Sequence, residues 1–281
     1  MSLYHMKKFL TFMLFAGALA ALGGCVQAWQ NWQLRQYDAA IRQAERAVKT
    51  ASGDRPLALA YSELGRAYSE KARYSRGFKL LTGAEYESIF ALGEKAHDAA
   101  VALAPGEADV FLKRGLSEYD RAAALGASKE DAAFLEKAEA DFTSAIKLDP
   151  SKEQALDMRG LIYMGKRDYD KAIDDFTREK ALDQRGGTLR LAEAYCARGS
   201  LRQGNKDNSG AAADYLRTIE FEKGTGRDAC DCDPYAPLAG IYYEQKDYAK
   251  SWETVNAAKT AGSYIPPEFL ADLKKASGRE R

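Results

Sequence analysis

Residues 153–184 read EQALDMRGLIYMGKRDYDKAIDDFTREKALDQ. Leu156, Gly160 and Tyr163 fall on one face of a helix, and Tyr169, Ala172 and Phe176 fall on one face of a second. The pair Arg159-Gly160 is followed by Asp175-Phe176, a step of 16 residues from glycine to aromatic. Arg198-Gly199 with Asp214-Tyr215 repeats that step of 16. Arg114-Gly115 with Asp141-Phe142 repeats the residue types at a step of 27, an insertion of 11. Recurrence of this kind marks a stacked repeat array. Such arrays as a rule present a surface rather than perform chemistry.

Composition agrees. The 281 residues suffice for one or two domains or one array, and 46% apolar with 29% charged content fits a folded chain. No run alternates apolar and polar residues with period two, so the expected class is all-α. Lys and Arg number 41 and Asp and Glu 41, a balance that argues against a nucleic-acid partner.

Residues 6–25, MKKFLTFMLFAGALAALGGC, have two lysines followed by a 14-residue apolar run from Phe9 to Leu22. That run is short for ~30 Å of hydrocarbon, so a cleaved signal is expected rather than a membrane span. Leu22-Gly23-Gly24-Cys25 resembles the lipobox of bacterial lipoproteins. The resemblance implies cleavage before Cys25, acylation of that residue and anchoring in the bacterial cell envelope. Val26 stands where inner-membrane retention would call for Asp, which favours the outer membrane, facing the periplasm.

The segment from Glu153 to Gln184 resembles a tetratricopeptide repeat, two antiparallel helices in about 34 residues. Further copies resemble it at Tyr61, Leu64-Gly65 and Tyr68; at Ala138, Phe142, Ala145 and Pro150; and at Tyr195, Arg198-Gly199, Ala211 and Tyr215. A weaker copy runs from Tyr235, Leu238-Ala239 and Tyr242 to Tyr248 and Ser251. The resemblance implies a superhelical α-solenoid of about five repeats with capping helices at both ends. The boundaries expected are a signal peptide at 1–24, a lipid-attachment linker and N-terminal helix at 25–57, the array at 58–262, and a C-terminal capping helix and tail at 263–281.

Gly65, Gly115, Gly160, Gly199 and Ala239 are separated by 50, 45, 39 and 40 residues. The first two excesses over the family period, around Lys71–Tyr86 and Ala122–Ala132, are rich in helix formers and predict longer helices. The other two, around Arg185–Thr188 and Gly224–Asp231, are Gly-rich and predict loops. Arg159 and Asp175 lie nearly equidistant from their turn, as do Arg198 and Asp214. Each pair is expected to form a partly exposed ion pair worth ~0.5–1 kcal/mol.

Nothing in the sequence assembles a catalytic centre, a metal site or a cofactor site. His5 lies in the leader, and His97 occupies a helical core slot between Gly93 and Ala100, where a structural role is expected. Asp109, Asp120, Asp157 and Glu193 could share a groove, without sign of catalytic pairing. Three cysteines follow Cys25. Repeat register sets Cys196 near Cys230 and Cys232, so a disulfide from Cys196 to one of them is expected in an oxidising compartment. In the family, first-helix residues line the concave side. Here those are Ser62, Arg66, Ser69, Asp109, Leu112, Leu116, Tyr119, Gln154, Asp157, Leu161, Met164, Cys196 and Ser200, a mixed groove suited to an extended or helical peptide. The family's basic-Asn clamp for C-terminal carboxylates is absent, with Ser62 and Arg66 in its place. The resemblance therefore implies a periplasmic scaffold binding an envelope protein or peptide. A solute- or glycan-binding accessory lipoprotein is the alternative.

Overall fold

A computed structural model describes residues 19–125, 129–182, 186–225 and 232–278. Among them are 12 helices and no strand. The helices are α1 (Leu19–Thr50), α2 (Asp54–Gly77), α3 (Gly83–Leu103), α4 (Ala108–Leu125), α5 (Lys129–Leu148), α6 (Glu153–Gly165), α7 (Tyr169–Leu182), α8 (Gly186–Gly204), α9 (Asn208–Thr225), α10 (Tyr235–Glu244), α11 (Tyr248–Ala261) and α12 (Pro267–Ser277). The chain forms two compact units, one ending at Asp141 and one beginning at Phe142, with the division inside α5. In the first, α2 packs on α1, α3 and α4. In the second, each helix from α6 to α12 packs on the next. This is the stacked array of antiparallel helix pairs that the repeats predict.

Three of the turns within pairs share one chemistry. Arg167, Lys206 and Lys246 take left-handed backbone angles, with φ of 60°, 64° and 60°. The following amides, at Asp168, Asp207 and Asp247, reach back to the carbonyls of Tyr163, Arg202 and Tyr242, all at 2.9 Å. Those aspartates then begin the second helix. Asp247 accepts from the Lys250 amide at 3.1 Å and Asp207 from the Gly210 amide at 2.9 Å, satisfying first-turn donors. A basic residue followed by aspartate is thus a turn signature.

The first long spacing near the N-terminus becomes long helices, as expected, and the second holds residues 126–128, outside the described ones, between α4 and α5. The helices α2, α3, α4 and α5 have 24, 21, 18 and 20 residues, against 13 and 14 for α6 and α7. One expectation needs correction. Gly186 to Thr188 are helical and open α8 rather than forming a loop. Gly187 is there for closeness: a Cβ on it would lie 2.7 Å from the Phe176 carbonyl oxygen and 2.8 Å from the Lys180 Cα. The second stretch expected to loop, 224–231, is helical at Gly224 and Thr225 and otherwise lies outside the described residues. At the N-terminus, α1 runs unbroken from Leu19 through position 25 to Thr50. It packs through Trp29 and Tyr37 against Tyr74 of α2, with ring centroids 6.0 and 5.3 Å apart. At the other end, Pro267 opens α12, whose Leu273 is fully buried in the core shared with α10 and α11. That burial covers an apolar edge, as a capping helix should.

Candidate functional site

Small residues let paired helices touch, and at three of these contacts a ring fills the space. A Cβ on Gly160 would lie 2.8 Å from Phe176 Cζ, and one on Gly199 would lie 3.0 Å from Tyr215 Cε1. At Gly65 the ring is His97, whose carbons would lie 2.7 Å from such a Cβ. His97 stands 32 residues after Gly65, the usual 16 plus the 16-residue excess of that interval. It holds the slot of Phe142, Phe176 and Tyr215. The ring is 1% exposed and its Nε2 is 2.8 Å from Ser117 Oγ. Burial, with help from Arg114 and Lys113, pushes its pKa down to about 3. It is therefore neutral and structural, as expected.

Beside each ring in the middle repeats sits an arginine fork. Arg159 donates from Nε and Nη2 to the two oxygens of Asp175 at 2.8 and 2.7 Å. Arg198 does the same to Asp214 at 2.9 and 2.7 Å, and Arg114 to Asp141 at 2.8 and 2.7 Å. The remaining nitrogen, Nη1, reaches the preceding helix pair: Asp98 for Arg114, Thr143 for Arg159 and Asp170 for Arg198. Each arginine thus ties its own pair together and joins it to the one before. The ion pairs are as expected, but not their exposure. The side chains of Asp175 and Asp214 are only 1% and 3% exposed, while Arg159 and Arg198 keep 13% and 18%, so each pair is open at its cation and buried at its carboxylate.

The end repeats omit the fork. Leu64 stands in the arginine position before Gly65, and Ala96 in the acidic position before His97. In the last pair, Leu238 precedes Ala239, and Thr254 precedes Val255 after the same step of 16. Where the cation is lost, the carboxylate is lost with it.

The expected groove residues divide by unit. In the first, Ser62, Ser69 and Leu112 are buried and have no surface to offer a ligand. Arg66 is bonded to Glu63 and Glu70 at 3.0 and 2.6 Å, while Asp109, Leu116 and Tyr119 are half-buried. In the second, Leu161 and Met164 on α6 are half-buried and packed against one core cluster, while Gln154 and Ser200 are exposed. Asp157 accepts from Arg190 Nε at 3.2 Å, and Arg190 also bonds Glu193 at 3.3 Å. Cys196 is buried in a disulfide with Cys232, their Cα atoms 6.4 Å apart. Cys230, the other partner considered, lies outside the described residues, as does the side chain of Cys25. Among the described residues no cluster of His, Cys, Asp and Glu is placed to hold a metal ion. No described helix is long and apolar enough to cross a membrane.

Residues 153–183, which contain α6 and α7, match the tetratricopeptide repeat family model. Solved structures similar to most of the chain include the tetratricopeptide repeat protein TTC0263 of Thermus thermophilus, at 20% identity and TM-score 0.39, covering 76% of this chain and 94% of that one. BtubC from P. vanneervenii is similar at 16% identity and TM-score 0.46, covering 84% and 94%. PilF of Pseudomonas aeruginosa is similar at 13% identity and TM-score 0.38, covering 75% and 86%. At these values the likenesses carry nothing about what the chain binds. No curated protein matches the sequence.

Proposed function

We propose that this chain is a lipid-anchored scaffold of the bacterial cell envelope that binds another envelope protein through its tetratricopeptide repeats and performs no catalysis. One observation carries the binding part. Half-buried Leu161 and Met164 form a short apolar strip on α6, on the same helix face as Asp157, which is bonded to Arg190 of α8 with Glu193 beside it. Apolar anchors with a polar border are what a docked helix or extended peptide requires. Arginine forks on buried aspartates hold the helices that present the strip.

The anchoring part rests on Leu22-Gly23-Gly24-Cys25 and on the aromatic residues that follow. Trp29 lies four residues beyond Cys25 and Trp32 seven beyond. Trp32 is 50% exposed. Tryptophan favours the boundary between hydrocarbon and water, which is where residues next to a lipidated cysteine would sit. Placement in the outer membrane, facing the periplasm, follows from Val26 by the same resemblance.

Affinity purification from envelope fractions tests the binding part, comparing the native chain with Met164→Asp and with Asp174→Asn, a change at an exposed residue of α7. The native chain and Asp174→Asn should retain the same co-purifying envelope protein, and Met164→Asp should lose it. Equal recovery with all three would remove the strip from consideration.

A further inference from the structure

In the first unit, α3, α4 and α5 bound a cleft of about 270 Å³ whose charged lining is Glu94, Asp98, Arg114, Glu118, Lys137 and Asp141. Arg114 is fully committed there, with its fork on Asp141 and its Nη1 on Asp98. Glu94 lies 3.0 Å from Arg121 and 3.8 Å from Lys137. Glu118 is left over. It is 5% exposed, and its Oε2 is buried without a hydrogen-bond partner. A buried acceptor left without a donor is costly, and a donor brought from outside would relieve that cost.

The chemistry of the missing donor follows from the lining. An ionised carboxylate only accepts hydrogen bonds, so the ligand must donate. Carboxylates outnumber cations in the lining four to two, so a cationic donor gains more than a neutral one. Small-molecule sites span roughly 300–1,000 Å³, and this cleft of about 270 Å³ falls just short of that range. It suits one long side chain rather than a whole ligand. Its described lining also holds no Phe, Tyr or Trp on which a sugar could stack, which disfavours the glycan-binding alternative at this place.

We propose that this cleft takes the lysine or arginine side chain of a partner polypeptide, with the Glu118 carboxylate anchoring its cationic head. This rests on the scaffold reading, since only a polypeptide partner supplies a tethered basic side chain. Around Glu118 stand Glu94, His97 and Asp98 from α3, Arg114 and Arg121 from its own helix, and Lys137 and Asp141 from α5. Burial, reinforced by Glu94, raises the Glu118 carboxyl to about 7. The cation selects the ionised form, so binding strengthens as pH rises through neutrality.

Calorimetric titration of the full chain in detergent, with synthetic hexalysine and separately with spermidine, tests this at pH 6 and pH 8. Hexalysine should bind about tenfold more tightly at pH 8 than at pH 6, the ratio of ionised Glu118 for a pKa near 7. Glu118→Gln should weaken binding at pH 8 roughly tenfold or more. Glu136→Gln, the same charge change at an exposed residue of α5, should leave it unaltered. Spermidine should bind far more weakly than hexalysine. Hexalysine binding indifferent to Glu118→Gln or to pH would overturn the proposal. Spermidine binding as tightly as hexalysine, and lost in Glu118→Gln, would overturn the polypeptide assignment in favour of a small-amine site. If hexalysine binding fails while Met164→Asp still abolishes capture of the envelope partner, the cleft is discarded and the scaffold reading stands. If both fail, both are discarded.

Discussion

Asp175 is nearly as buried as the phenylalanine that follows it, and its two oxygens are taken by one guanidinium. Removing one member of a buried pair strands the other, at a cost of about 3–5 kcal/mol, whereas replacing both by apolar groups can be close to neutral. The chain contains its own version of the double replacement, Leu64 with Ala96. Arg159→Leu should therefore lower unfolding free energy by about 3 kcal/mol or more, and Arg159→Leu with Asp175→Ala should recover most of that loss. Urea denaturation of the three proteins measures it, and a double variant as weak as the single would dispose of the explanation. The pairing itself is legible from spacing; its burial is not, because a charge on a helix ordinarily marks the solvated face. His97 is legible as a buried structural residue. Its place as the ring on Gly65 requires adding the 16-residue excess to the usual step.

His97 and Glu118 also set opposing pH slopes. His97, lowered from 6.5 to about 3, binds fewer protons folded than unfolded, so stability falls as pH drops through that interval. Glu118, raised from 4.5 to about 7, binds more protons folded than unfolded, so stability falls as pH rises through its interval. Between pH 4.5 and 6.5 the two offset each other. Glu118→Gln removes one slope. Relative to the native chain, its unfolding free energy should rise by about 2–3 kcal/mol from pH 4.5 to pH 6.5. Parallel profiles for the two proteins would show that Glu118 is not perturbed as described.

At the scale of elements, the last pairs are held by means other than forks. The Cys196–Cys232 disulfide spans 36 residues, linking α8 to the start of the final pair. Reduction should destabilise the chain by about 3–4 kcal/mol on a loop-entropy argument. It should show as an earlier thermal transition in reductant, one absent from the Cys196→Ala variant. Leu273, fully buried, seats α12 on this unit, and Leu273→Ala should cost roughly 2–4 kcal/mol by calorimetry. The closing helix is readable from Pro266-Pro267, because proline fits a first helical turn. The start of α8 is not, because Gly186-Gly187 looks like a loop. Gly187 instead permits close backbone contact with α7. Ser62 and Leu112 are not legible as buried, because α2 packs on α1, α3 and α4 together, which one repeat read alone does not show.

For the whole molecule, position in the cell and the presented surface belong together. A scaffold tied to the envelope through Cys25 should fractionate with membranes and yield an N-terminal peptide that begins at an acylated cysteine. Cys25→Ser should abolish the acylation and leave the leader attached, which mass spectrometry of the purified chain reads directly. The partner-binding surface is probed most directly by a photo-crosslinking amino acid at position 164, with the exposed second-helix position 174 as control, in living cells. A discrete adduct with an envelope protein from position 164, and not from 174, is the expected result. No adduct, or the same adducts from both positions, would mean that α6 and α8 present nothing to a partner.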